Sequence, residues 1–257
     1  IGHDMRPSGP DLVAAFADGV TEQGCDVIRI GLCSTDGMYF ASGTTGLPGA
    51  MFTASHNPAQ YNGIKLCRSG ASPVGQDTGL AAIKQMVIDG VPTFDGPAGY
   101  VRDEDMLVPY AEYLRHLVGV QDIRPLKVVI DAGNGMAGYT APAVLGGLPL
   151  DITELYFELD GNFPNHEANP IDPANMVDTQ RAVLEVGADI GLAFDGDADR
   201  CFVVDERGEI VNPSTLTALI ASLELAKAPG APVIHNLITS RAVPEVIREN
   251  GGTPVRT

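Results

Sequence analysis

At 257 residues, and roughly 150 residues per domain, the chain has room for about two domains with sizeable cores. Sixteen Lys and Arg against 33 Asp and Glu give a formal charge of −17, which excludes nucleic-acid binding through a basic excess and a polybasic membrane-surface role. Hydrophobic residues make up 44%, too many for a disordered chain, yet no uninterrupted apolar run approaches the ~18 residues of a membrane span.

In chain order, Ser8-Gly9-Pro10-Asp11 reads as a helix start: Ser8 is placed to cap, Pro10 suits the first turn and Asp11 faces the positive helix end. Leu12, Val13, Phe16 and Val20 then recur at helical spacing, and Gly24 ends the helix. Strands are predicted over 26–32, 49–53 and 63–67, and a helix over 76–88. A Gly- and Pro-rich stretch over 90–99 marks a boundary. Beyond it the pattern predicts a helix over 103–118, then strand 126–131, helix 136–145 and strand 150–157. A Pro/Asn-rich loop over 162–173 precedes helix 174–185 and strands 189–194 and 201–205. The rhythm restarts with helix 213–227, strand 232–235 and helix 240–249. Strands alternating with helices imply α/β layers with a largely parallel sheet. The four cysteines, Cys25, Cys33, Cys67 and Cys201, form no CxxC pair and suit buried thiols in a reducing cytoplasm. The chain opens at Ile1 without Met and stops at Thr257 as a strand begins, so it reads as a fragment.

Asp195-Gly196-Asp197-Ala198-Asp199-Arg200 sets three carboxylates at alternate positions just past a strand. In a tight loop the Gly and Ala let the backbone curl so that all three converge. An oxygen-only set suits a hard divalent cation, Mg²⁺ or Ca²⁺, and without one the carboxylates repel until some bind protons. The competing reading is a solvated acidic turn. An EF-hand is rejected, because its sixth position requires Gly and here holds Arg200, and because the flanks are strands.

Thr53-Ala54-Ser55-His56-Asn57-Pro58 lies at a strand end, where α/β proteins place their sites. Alone it is no more than an Asn-Pro turn with a hydroxyl at its tip. A hairpin return predicts that the Lys65 ammonium comes back near Ser55; the plain alternative is an exposed strand-end lysine. His56 adjoins Ser55, but neighbours in an extended chain point apart, so it is a poor base for that serine. Gly133-Asn134-Gly135-Met136-Ala137-Gly138 is a literal G-x-G-x-x-G between strand and helix, which admits an NAD-linked oxidoreductase as well as a plain tight turn. In the loop 163–170, His166 is assigned a structural role.

Together these residues resemble the α-D-phosphohexomutase superfamily, in its phosphomannomutase/phosphoglucomutase branch. Residues 53–58 resemble the family's phosphoserine loop and 195–200 its metal-binding loop. Tyr61-Asn62-Gly63-Ile64-Lys65 follows the serine as it does in the family, and 133–138 and 163–170 match its second domain. The resemblance implies consecutive three-layer α/β/α domains with mixed, mostly parallel sheets: 1–98 as a shortened domain I, 99–206 as domain II and 207–257 as the start of domain III. It implies reversible transfer of phosphate between C6 and C1 of a hexose phosphate, through phosphoserine and a hexose 1,6-bisphosphate. Ser55 is then the phosphoryl carrier. Asp195, Asp197 and Asp199, with an oxygen of Ser55, hold one Mg²⁺. Lys65 takes part in proton transfer or phosphate contact, Arg200 holds the transferring phosphate and His56 supports. Arg6 receives no role. Glucose or mannose 1,6-bisphosphate is the implied activator and a hexose phosphate the partner, with neither nucleic acid nor membrane; the cytoplasm is the expected location. Phosphoglucosamine mutases usually show Ser at the position of Thr53 and Gly at that of Ala198, so both residues favour the mannose/glucose branch. The fragment alone is expected to be inactive. Outside the superfamily, the alternatives are the NAD-linked oxidoreductase and a Ca²⁺-binding structural module centred on Asp195.

Overall fold

A computed structural model describes residues 1–257, the side chain of Gln121 excepted. The first unit comprises β1 (Gly2–His3), α1 (Gly9–Glu22), β2 (Val27–Arg29), β3 (Gly31–Leu32), α2 (Thr35–Thr45), β4 (Gly49–Phe52), β5 (Ile64–Arg68), β6 (Ser72–Pro73), α3 (Ala81–Asp89) and β7 (Val101–Asp103). Its main sheet has the order β3-β1-β4-β5-β6. The pairs β3/β1 and β1/β4 are parallel, whereas β4/β5 and β5/β6 are antiparallel. Helix α1 buries Val13 and Ala17, four residues apart on one face, and Val13 and Phe16 pack against Ala50 and Phe52 of β4.

Four local expectations are corrected here. Ser8 stands at the N-cap of α1 without a side-chain capping bond; its Oγ accepts from Asn62 Nδ2 instead. The single strand over 26–32 is two strands in different sheets, broken at Ile30, with Gly31 at φ +67° supplying the left-handed turn. The helix over 76–88 opens as a π-helical turn, Gln76–Leu80, because Gly79 is non-helical, and runs regularly only over α3. Asp103 ends a strand rather than starting a helix, and the helix expected over 103–118 begins only at Leu107: β7 pairs in parallel with β2, tying the chain after the Gly/Pro stretch back to the first unit. Helix α2 was not anticipated at all. Its Ser34 N-cap oxygen accepts from the Gly37 amide, and Gly46 ends it at φ +69°.

The second unit holds α4 (Leu107–Val118), β8 (Leu126–Asp131), α5 (Ala137–Leu145), β9 (Leu150–Leu155), α6 (Val177–Val186), β10 (Ile190–Phe194) and β11 (Cys201–Asp205), with sheet order β11-β10-β8-β9. β8 runs parallel to both β9 and β10, and β10 turns back into β11 as an antiparallel hairpin. Alternation along β8 produces the layers. Val128 and Ile130 pack with Ala141 of α5, while Val129 packs with Ala182 and Val183 of α6. Both sheet faces are therefore covered, as the α/β/α expectation requires.

The chain continues with α7 (Pro213–Lys227), β12 (Pro232–His235), α8 (Ala242–Glu249) and β13 (Thr253–Arg256). β12 and β13 are parallel, over a core of Ala218, Ala221, Leu225, Val243 and Ile247. No helix among the described residues is long and apolar enough to cross a membrane. The cysteines form no disulfide; Cys33 and Cys67 are buried as expected, but Cys25 and Cys201 are exposed.

Candidate active site

The loop after β4 and the turn between β10 and β11 meet where the two units touch. Ser55 sits in the first at φ +53°, a left-handed conformation that a serine rarely adopts. Its amide donates to Thr53 Oγ1 at 2.8 Å. Its carbonyl oxygen accepts from Arg6 Nη2 at 3.0 Å. Arg6 is 1% exposed and grips the whole loop. Nη2 also donates to the Asn57 carbonyl at 2.7 Å, and Nη1 to the carbonyls of Pro58 and Tyr61 at 2.8 and 3.0 Å. Its Nε pairs with the buried Asp4 at 3.1 Å, and the Phe163 ring of the second unit lies 5.3 Å from the guanidinium carbon.

In the second loop, Ala198 at φ +56° closes the turn, and the amides of Asp199 and Arg200 donate to Asp195 Oδ1 at 3.2 and 3.0 Å. Asp195 Oδ2 accepts from Ser55 Oγ at 2.8 Å and from Arg200 Nη2 at 2.6 Å. Arg200 Nη2 also donates to Ser55 Oγ at 2.7 Å and contacts His56 Nδ1. The hydroxyl is thus held between a carboxylate and a guanidinium. Lys65, opposite Met51 on the β4/β5 hairpin, reaches Asp197 Oδ2 at 2.6 Å and Asp199 Oδ2 at 2.7 Å. The ammonium therefore lies on the carboxylates: the hairpin carries it to Asp197, Asp199 and Thr35, where the sequence had placed it near Ser55.

Asp195, Asp197 and Asp199 each offer one oxygen, and these oxygens lie within 4.8 Å of one another. Asp195 and Asp197 are fully buried, and Asp197 Oδ1 has no hydrogen-bond partner among the described residues. An orphaned, buried carboxylate oxygen within an all-oxygen donor set fits a hard divalent cation. The electrostatics divide the pair. Burial and the neighbouring Asp197 charge raise the Asp195 carboxyl above the ordinary range despite Arg200 and Ser55. Burial opposes ionisation of Asp197 too, but the bonds from Lys65 and Thr35 hold that carboxyl low. Asp36, in the first turn of α2, is pushed up to about 6 by burial and then by the charges of Asp199 and Asp197. Burial, then Arg200, lowers the His56 imidazole, which favours the uncharged ring beside the guanidinium.

Residues 1–90 match the phosphoglucomutase/phosphomannomutase α/β/α domain I model and residues 109–208 match that of domain II. A relative described as phosphohexose mutases, from Xanthomonas campestris pv. campestris, is 40% identical over 256 residues; the alignment covers 99% of this chain and 57% of the relative. The phosphomannomutase of Escherichia coli K12 is 38% identical over 263 residues, covering 99% and 58%. A crystal structure of a phosphoglucomutase/phosphomannomutase family protein from Burkholderia thailandensis superposes with a TM-score of 0.89 at 35% identity, covering 99% of this chain and 56% of that one. The chain belongs to the phosphoglucomutase/phosphomannomutase family.

The chain spans somewhat over half the length of these family members. Within that span, the Gly133–Gly138 turn serves as the floor of the acidic loop. The Met136 amide, at the start of α5, donates to the Gly196 carbonyl at 2.9 Å. A Cβ on Gly135 would lie 2.7 Å from that same oxygen, and one on Gly196 would lie 2.5 Å from the Ser55 carbonyl oxygen. Glycine at both positions lets three backbones stack. His166 has the structural role expected of it: its Nε2 lies 3.1 Å from buried Asp131 Oδ2, which also accepts from Thr179 at 2.8 Å.

Of two further residues at the site, Arg6 was left without a role by the sequence and Thr35 was missed. Arg6 follows the first strand of the sheet as part of Asp4-Met5-Arg6, and a charged pair in so short a strand-end segment was the available signal. Thr35 begins a helix that the pattern did not reveal; its Oγ1 donates to Asp197 Oδ2 at 2.5 Å.

Proposed function

We propose that this chain carries the phosphoserine and metal-binding part of a phosphomannomutase/phosphoglucomutase that moves phosphate between C6 and C1 of a hexose phosphate. The single observation behind this reading is the Ser55 hydroxyl, 2.8 Å from a carboxylate oxygen of Asp195 and 2.7 Å from Arg200 Nη2. A serine alcohol is a weak nucleophile and a poor leaving group, and this setting supplies positive charge and an oriented acceptor. Asp195, Asp197 and Asp199, with a Ser55 oxygen, would hold one Mg²⁺. When bound, the ion supplies charge neutralisation on the phosphoryl oxygens. Arg200 steadies the transferring phosphoryl group. Lys65 contacts phosphate or moves a proton, and His56 supports Arg200.

In the forward half-reaction the Oγ–P bond of phospho-Ser55 breaks and a P–O bond forms to the free hydroxyl of a hexose monophosphate, whose proton passes to a nearby base. The resulting 1,6-bisphosphate reorients, and its other phosphoryl group returns to Ser55. Free glucose or mannose 1,6-bisphosphate primes the serine. On this reading residues 1–98, 99–206 and 207–257 are domain I, domain II and the start of domain III, and the enzyme works in the cytoplasm. The basic recess of about 580 Å³ lined by His235, Arg241, Arg248 and Arg256 adds positive charge on the third unit, which suits an anionic substrate despite the overall −17.

The test uses a polypeptide spanning the full length of the relatives, incubated with glucose 1,6-bisphosphate and examined by intact mass and peptide mapping. The expected result is one added phosphoryl group on Ser55 together with mutase turnover, both lost in Ser55→Ala. An adduct that persists in Ser55→Ala overturns the assignment.

A further inference from the structure

We propose that Thr35 is a positioning residue for the cation site, fixing which oxygen of Asp197 is presented to the metal; this rests on the metal-site reading above. Thr35 is 1% exposed and belongs to the first unit, whereas Asp197 belongs to the second. Lys65 Nζ has only protons to give, and it donates to Thr35 Oγ1 at 3.2 Å and to Asp197 Oδ2 at 2.6 Å. With its oxygen accepting from Lys65, Thr35 has a single hydroxyl proton left to place, and Asp197 Oδ2 stands 2.5 Å away. Oδ2 is thereby committed to two donors, and Oδ1, buried and unpartnered, is the oxygen left for the cation. The same residue grips Asp197 a second time. The Thr35 amide, one of the free N–H groups at the start of α2, donates to the Asp197 carbonyl at 3.1 Å. Thr35 thus sets both the carboxylate and the backbone of Asp197 from the opposite unit.

Partners of this outer-shell kind are worth about 10–100-fold in metal affinity. The probe is Mn²⁺, titrated by electron paramagnetic resonance into the 257-residue chain and its Thr35→Val, Thr35→Ala, Thr35→Ser and Asp197→Asn variants, with folding checked by hydrogen exchange across β8 to β11. Thr35→Val and Thr35→Ala are expected to weaken Mn²⁺ binding about 10–100-fold, while Thr35→Ser, which keeps the hydroxyl, restores near-native affinity and the native Mn²⁺ spectrum. Native affinity in a folded Thr35→Val or Thr35→Ala chain overturns the proposal, as does a Thr35→Ser variant no better than Thr35→Val. If the unmodified chain and Asp197→Asn bind Mn²⁺ equally weakly, the metal-site reading fails, and the role of Thr35 with it. Loss in Asp197→Asn alone defeats only the role of Thr35.

Discussion

Arg6 holds Ser55 by its main chain: the guanidinium Nη2 donates to the Ser55 carbonyl oxygen at 3.0 Å while Ser55 is at φ +53°. The left-handed backbone is costly for serine, of order 1–3 kcal/mol, and persists because the surroundings over-determine it. Four loop carbonyls converge on one guanidinium, so the loop takes its shape from Arg6. A lysine at this position has no planar fork to reach them.

Removing that guanidinium also strands Asp4, which is fully buried and paired with it. Breaking a buried pair from one side costs about 3–5 kcal/mol. Arg6→Met is expected to lose that much in urea unfolding, and the double variant Asp4→Asn/Arg6→Met to lose less than Arg6→Met alone. Equal losses would show that the stranded carboxylate contributes nothing.

Gly196→Ala tests the stacking of three loops. The added methyl would stand 2.5 Å from the Ser55 carbonyl oxygen, a backbone atom that cannot swing aside. Overpacking of this kind costs about 1–3 kcal/mol, and the displacement falls on the serine and acidic loops together. The expected outcome is a lower thermal midpoint together with weaker Mn²⁺ binding. Gly19→Ala on α1, where the added Cβ meets nothing within 4 Å, is the control.

The sequence disclosed the residues that gather at the candidate site better than the residues that hold them there. Ser55, Lys65, Asp195, Asp197, Asp199 and Arg200 were legible because they sit in compact motifs at strand ends, where side-chain type and spacing carry the signal. The second unit was legible for a related reason: β8 alternates between two covered faces, and its flanking helices have clear apolar periodicity. Helix α2 was not legible, because Gly37, Gly43, Thr44 and Thr45 dilute any periodic stripe and its start is fixed by the Ser34 cap. Thr35 and Asp197 are separated by 162 residues, and no local pattern links them. Arg6 was found but not understood, since its partners are backbone carbonyls, which leave no trace in residue types.

His56 reports on Arg200. Burial first, and then the Arg200 charge, hold its imidazole below the ordinary 6.5. A lowered imidazole favours the neutral form in the fold, so its contribution to stability is present above 6.5 and is lost as pH falls through the folded value. Arg200→Gln removes the second cause and leaves the first. The His56 ring-proton titration midpoint, followed by NMR, should rise toward 6.5 without passing it. A midpoint unmoved by the substitution would mean that Arg200 does not act on His56 electrostatically.

His166 carries the opposite sign. Burial opposes its charged form, but the bonds to the Asp131 carboxylate and the Glu167 carbonyl outweigh burial and raise the imidazole above 6.5. Its stabilisation is therefore complete below 6.5 and is lost as pH rises through the higher folded value. A hydrogen bond to a charged group is worth about 1.5–3 kcal/mol, so His166→Gln should lose roughly that much stability in urea unfolding well below pH 6.5. The gap to the unmodified chain should narrow at alkaline pH. Because the 163–170 loop also brings Phe163 over Arg6, the variant should loosen the serine loop in the same acidic window, read as faster hydrogen exchange of the Asn57 and Tyr61 amides. A stability gap that stays constant with pH would show that His166 packs as a neutral ring, and the charge-assisted link from Asp131 to the loop would then be wrong.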